Sequence, residues 1–146
     1  MVHHNPTGFY TEEIKENNIR RGFALIGPDS TKAILSHVNI VSPARVGKYG
    51  VDIPAFEKFL ERLNLPAADN RTIIIDEIGK MECFSPLFCR IITGLLASDK
   101  IVIATIALKG TPFIENLKKS SEIPILEVTR ANRDNMPETI LSRLQL

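Results

Sequence analysis

The segment Arg71-Thr72-Ile73-Ile74-Ile75-Asp76-Glu77-Ile78-Gly79-Lys80-Met81-Glu82 joins an apolar strand directly to two adjacent carboxylates. At the carboxyl edge of a parallel sheet, an Asp in this position holds Mg2+ against a polyphosphate and a Glu beside it polarises the attacking water. Magnesium keeps most of its waters, so one carboxylate plus substrate phosphates is a sufficient set of oxygen ligands. The bland alternative is that Asp76 and Glu77 merely end a strand and cap the following turn.

The usual partner of such a pair is G-x-x-x-x-G-K-[ST], a loop whose backbone N–H groups cradle phosphates at a helix N-terminus. No window of the sequence fits it. Gly47-Lys48 runs into Tyr49 and has Ser42 where the first glycine should stand, and Gly79-Lys80 runs into Met81.

Further polar residues extend the constellation. Lys80 could meet phosphate charge or hold Glu77 in place, against the alternative of a solvated ion pair worth about 0–1 kcal/mol. For Glu82 the solvated alternative is preferred. Thr105 closes the apolar run Ile101-Val102-Ile103-Ala104, where its hydroxyl could sense a terminal phosphate or, more commonly, bond its own backbone. In Thr129-Arg130-Ala131-Asn132-Arg133-Asp134, Arg133 is a candidate for phosphate or base, although Asn and Asp there also suit helix capping. Thr11, Glu12, Glu13, Arg45, Lys48 and Tyr49 are weaker candidates for the rim of a nucleotide pocket. His3, His4 and His37 lack ligand spacing, and Cys83 and Cys89 read as two ordinary thiols rather than a zinc or disulfide framework.

The elements that must position these residues follow from periodicity. Gly8 to Ile26 reads as a β-hairpin turning at Glu16-Asn17-Asn18, with a short third strand near Ala33-Ile34-Leu35. Ser42 to Asp52 reads as a loop. Phe56, Phe59, Leu60 and Leu63 share a helical face behind Pro54. Strand Thr72 to Asp76, helix from Ser85, strand Ile101 to Ile106, helix from Thr111, strand Ile123 to Val128 and helix Met136 to Leu144 then alternate. Ser85-Pro86 and Thr111-Pro112 each pair a capping hydroxyl with a first-turn proline. The alternation predicts β-α-β crossovers and a largely parallel sheet, with Ile73-Ile74-Ile75 and Ile101-Val102-Ile103 covered on both faces.

The 146 residues fit one domain, residues 1–146, with a single core. A net charge of +1, from 18 basic and 17 acidic residues, leaves no electrostatic footprint for nucleic acid or an anionic membrane. No apolar run approaches the roughly 20 residues of a membrane span and the opening residues form no signal-peptide core, which predicts a cytoplasmic protein.

Gly8-Phe9-Tyr10-Thr11-Glu12-Glu13, Arg21-Gly22-Phe23, Val46-Gly47-Lys48-Tyr49-Gly50-Val51-Asp52, Asp76-Glu77-Ile78-Gly79-Lys80-Met81-Glu82 and Thr129-x-x-Asn132-Arg133-Asp134 occur in this order. In these motifs the chain resembles the small P-loop nucleoside-triphosphatase family of thermophiles, from Gly8 to the C-terminus. The resemblance implies a RecA-like α/β sheet with an antiparallel N-terminal hairpin, hydrolysing ATP, GTP and other nucleoside triphosphates with Mg2+. It implies a metal-holding role for Asp76, general-base catalysis by Glu77 and a sensing position for Thr105. It makes Lys80 a further catalytic candidate, and Asn132 and Arg133 candidate nucleotide-binding residues.

Members of that family carry a strand, a Gly-x-x-Gly-x-Gly-Lys-Thr loop and a helix ahead of the hairpin, whereas seven residues precede Gly8 here. The expectation is a chain lacking those three elements, through a misassigned start at Met1 or a real truncation, and therefore weak or inactive as a hydrolase. Loss of an interior strand would strand roughly 5–10 ladder groups at about 1–3 kcal/mol each, comparable with a total stability of about 5–15 kcal/mol. The alternatives are a degenerate nucleotide fold that binds without hydrolysing and, ranked last, a flavodoxin-like or receiver-like module.

Overall fold

The structure is a computed structural model that describes residues 5–145; the expectations for the opening residues, His3 and His4 among them, lie outside the described part. Thr7–Glu16 (β1) and Ile19–Ile26 (β2) form the hairpin. Asn17 and Asn18 turn it with φ of 52° and 63°, the two left-handed residues that a tight hairpin turn requires and that Asn tolerates. Lys32–His37 (β3) adds antiparallel to β2. The segment expected to be a loop contains two short strands, Arg45–Val46 (β4) and Tyr49–Val51 (β5), paired to each other and through β5 to β3. Gly47 at φ 57° makes their turn, and the Arg45 guanidinium closes it on the carbonyls of Ile40 and Lys48 at 3.3 and 3.0 Å.

Ile53–Leu63 (α1) starts one residue before Pro54, because Asp52 caps it by accepting the Ala55 N–H at 3.0 Å. Thr72–Ile78 (β6) then runs parallel to β1, and Ile101–Ile106 (β7) parallel to β6. Between them Pro86–Leu96 (α2) makes the crossover, capped by Ser85, whose Oγ accepts the Phe88 N–H at 3.0 Å and donates to Glu57 Oε1 of α1 at 2.8 Å. The Thr111 hydroxyl likewise accepts the Ile114 N–H at 3.4 Å ahead of Pro112–Lys119 (α3).

The sheet order is β4-β5-β3-β2-β1-β6-β7. It is mixed: the parallel part is β1-β6-β7, and the antiparallel part is larger than the sequence suggested because β4 and β5 extend the hairpin. One face is closed by α1 and α2. Phe9 stands beside Ile75 in register and meets the rings of Phe56, Phe59 and Phe88 at 6.1, 5.5 and 6.4 Å. Ile73 and Ile75 are buried with them. The expected cover on both faces is not found among the described residues: Ile74, pointing the other way, is 41% exposed and Tyr10 is 50% exposed, while the side chains of β7 are half-buried or exposed.

Internal contacts divide the chain into two units, the first ending at Asn116 and the second running from Leu117 to the end. The first holds the sheet, α1 and α2. The second contains the turn Arg133–Asn135 and Met136–Leu144 (α4). The strand expected over Ile123 to Val128 is not formed. A strand needs a neighbour to share its ladder, none bonds to this segment among the described residues, and Pro124 removes one donor besides.

Candidate active site

Along β6 the pairing with β7 slips between Ile75 and Ile78: Ile75 faces Ala104 and Ile78 faces Ile106, so one extra residue is accommodated at Asp76-Glu77. Such a bulge interrupts the two-residue alternation and re-aims side chains at a sheet edge. The peptide bond between Asp76 and Glu77 is cis. Opposite the slip, Thr105 Oγ1 donates to Asp76 Oδ1 at 2.6 Å. Thr105 therefore bonds across strands to the first carboxylate, rather than to its own backbone as a lone strand-end Thr commonly does. Both side chains are exposed, leaving the second oxygen of Asp76 open to water or an ion.

Glu77 keeps surface exposure, yet its pKa is raised above the ordinary carboxylate range, first by desolvation and secondly by the Asp76 charge. It lies on a cavity of about 250 Å³ whose polar wall also includes Thr11, Lys80, Glu82 and Lys109. Lys80 is exposed and makes no ion pair among the described residues, so the loop ion pair weighed from sequence is not formed.

Glu82 departs furthest from the sequence expectation. Instead of a solvated carboxylate it is 3% exposed, and its Oε2 accepts the Gly79 N–H at 3.0 Å. Burial pushes its pKa up to about 7, with Glu77 adding to the rise and the Gly79 N–H opposing it. The signal was the spacing Gly79-x-x-Glu82: a turn that begins in glycine and enters the 3-10 segment Glu82–Phe84 folds the acid back on the amide three residues earlier.

Asn132 and Arg133 belong to the second unit. The Asn132 side chain accepts the Thr129 N–H at 2.7 Å and donates to the Glu127 carbonyl at 2.9 Å, closing the loop that precedes it, and it makes no side-chain capping bond to the turn Arg133–Asn135 that follows. Arg133 is exposed, with Nε 3.7 Å from Asp134. Among the rim candidates, Glu13 pairs with Arg20 and Lys15, and the Tyr49 ring meets Phe23 edge-on at 5.6 Å. Those residues build the hairpin and its neighbour, and of the rim set only Thr11 reaches the cavity. The Cys83 thiol is pushed up to about 12, mainly by burial.

The family profile described as NTPase matches residues 3–141. The chain belongs to the NTPase family. Within it, the nucleoside-triphosphatase THEP1 of Thermotoga maritima is 39% identical over 142 residues, covering 97% of this chain and 82% of the relative. The human cancer-related nucleoside-triphosphatase is 34% identical over 156 residues, covering 94% and 80%. Among solved structures, the crystal structure of THEP1 from Aquifex aeolicus superposes with a TM-score of 0.83 at 36% identity, covering 97% of this chain and 84% of that one. These NTPase likenesses establish the α/β fold and take in the whole segment from β1 to α4 that carries Asp76, Glu77 and Thr105.

Proposed function

We propose that the chain is a nucleoside triphosphatase that hydrolyses ATP, GTP and related nucleotides to the diphosphate and phosphate with Mg2+. The observation that carries this reading is the cluster at the β6 bulge, Thr105 on Asp76 with Glu77 beside them, in a chain of the NTPase family. The donor set suits the ion: one exposed carboxylate with a hydroxyl fixing one of its oxygens supplies hard ligands, and no group of three or more His, Cys, Asp and Glu forms a metal cage among the described residues. Asp76 would hold Mg2+ through water, and the bound ion would neutralise charge on the phosphates. Glu77 orients a water and takes its proton as the oxygen attacks the terminal phosphorus. A carboxylate pKa raised above the ordinary range by desolvation and by the Asp76 charge makes Glu77 the better base for that proton. Lys80, in no ion pair among the described residues, is available to the phosphate oxygens. The substrate is then a nucleoside triphosphate rather than nucleic acid or membrane, in keeping with a net charge of +1 and no described helix long and apolar enough to cross a membrane. The protein acts in the cytoplasm on this reading.

Glu77→Gln tests the assignment. Turnover should fall by roughly 10²–10⁴, while magnesium-ATP at 100 times its dissociation constant should still stabilise the protein by about 2.7 kcal/mol in a thermal melt. Unchanged turnover refutes Glu77 as the base. A wild-type chain that shows the melting shift without any turnover is instead a nucleotide-binding module that does not hydrolyse.

A further inference from the structure

We infer that Glu82 is a positioning residue for Glu77, acting through the Gly79 turn; this rests on the reading of Glu77 as the base. The two acids bracket Gly79. A methyl group built on Gly79 would stand 2.7 Å from Glu82 Oε2 and 2.8 Å from Glu77 Oε1, both far inside contact distance. The space that glycine leaves is therefore filled from two sides by carboxylate oxygens, and neither acid can move inward without meeting the turn.

Glu82 is in turn fixed from behind. The Cys83 N–H bonds the Gly79 carbonyl at 3.1 Å and the Ser85 N–H bonds the Glu82 carbonyl at 3.0 Å. Ser85 caps α2 and bonds Glu57 of α1. An unbroken series of hydrogen bonds thus runs from the two helices, through Ser85 and Glu82, to the Gly79 amide beside Glu77. Burying a carboxyl is costly and an apolar side chain would fill the same space more cheaply, so the structural return from this acid is its grip on the Gly79 N–H. Its elevated pKa fits that setting: burial is the main cause, and the charges of Glu77 and Asp76 add to it against the Gly79 N–H.

The test compares Glu82→Gln, Glu82→Ala and Gly79→Ala in the full chain, using two readouts. The first is nuclear magnetic resonance of the protein without ligand: the Gly79 amide shift and the nuclear Overhauser contact between Gly79 Hα and Glu77 Hγ. Both should persist in Glu82→Gln, whose amide oxygen still accepts the bond, and be lost in Glu82→Ala. The second is magnesium-ATP turnover. Glu82→Gln should stay within about threefold of wild type, while Glu82→Ala and Gly79→Ala should lose about 10–100-fold in kcat with KM within about twofold, the signature of a misplaced base. Retention of the Gly79–Glu77 contact in Glu82→Ala overturns the inference, as does a Glu82→Ala enzyme with undiminished kcat. If Glu82→Ala does not fold, Gly79→Ala decides, because its methyl group pushes both carboxylates off the turn while residue 82 itself remains a glutamate. Wild-type protein with the predicted resonance behaviour but no turnover counts against the proposed hydrolysis, and leaves the coupling of Glu82 to Glu77 standing.

Discussion

Glu82 makes stability depend on pH in a direction that can be worked out. Its carboxyl titrates near the ordinary 4.5 when the chain is unfolded and at about 7 when folded. A raised folded pKa means that the native state binds the proton more tightly, so this favourable contribution is complete below about pH 4.5 and fades as pH rises through 7. With each unit worth about 1.36 kcal/mol, the loss between pH 4.5 and 8 amounts to about 3 kcal/mol. For a chain of this size that is a fall in Tm of roughly 6–12 °C. Other groups also titrate over that range, so the informative quantity is the difference from Glu82→Gln, which keeps the acceptor for Gly79 and cannot ionise. Urea denaturation of both proteins from pH 4.5 to 8 should give a wild-type curve that drops away from that of the variant, leaving Glu82→Gln the more stable protein at pH 8 by about 3 kcal/mol. Parallel curves would mean that Glu82 is solvated or ionised without cost in the folded protein, and the reasoning from its burial would be wrong.

Thr105→Val keeps the β-branched shape of an edge strand but removes the donor to Asp76, a bond from a neutral hydroxyl to an exposed carboxylate worth about 1 kcal/mol. The Mg2+ concentration for half-maximal turnover should rise about fivefold with little change in Tm, and an unchanged magnesium titration would remove Thr105 from the site. Gly8 sits at φ 141° where a methyl group would lie 1.7 Å from the Ile74 carbonyl oxygen, whereas Gly47, at φ 57°, has nothing within 4 Å. Gly8→Ala should therefore cost roughly 3 kcal/mol or more in denaturant and Gly47→Ala about 1 kcal/mol; equal costs would show that backbone conformation rather than strand contact governs both.

What the sequence disclosed and what it hid separate along the line between local and non-local causes. The helix starts at Ser85 and Thr111 were readable because a cap and a first-turn proline act within four residues; α1 was read from Pro54, one residue late, because its cap Asp52 was taken as the end of a loop. The hairpin was readable for the same reason, since Asn17-Asn18 determine its turn by themselves. β4 and β5 were not: two and three residues long, they exist because β3 offers an edge and the Arg45 side chain closes their turn. Ile123 to Val128 shows the converse error. Its residues have strand propensity, yet propensity without a hydrogen-bonding neighbour among the described residues forms no strand.

The site follows the same division. Asp76 and Glu77 were visible as a pair of acids ending an Ile run, but their use depends on a register slip and on Thr105, which lies 29 residues away in the chain and meets Asp76 only because β7 is parallel to β6. Spacing along the chain suggested that Glu82 was one more acid of a solvated turn. Its burial is decided by Ser85 and the two helices behind it, a contact 28 residues long from Ser85 to Glu57. The pair of carboxylates is consequently supported in unequal ways. On the side of α1 and α2, a buried network fixes the Gly79 turn and with it the expected base. On the side of β7, a single exposed hydroxyl on the last strand of the sheet holds the expected metal carboxylate. A base must be aimed to within a fraction of an ångström at a water, which a buried network can ensure. A carboxylate that meets an ion through water tolerates a looser hold, and one hydrogen bond from an edge strand is enough for that.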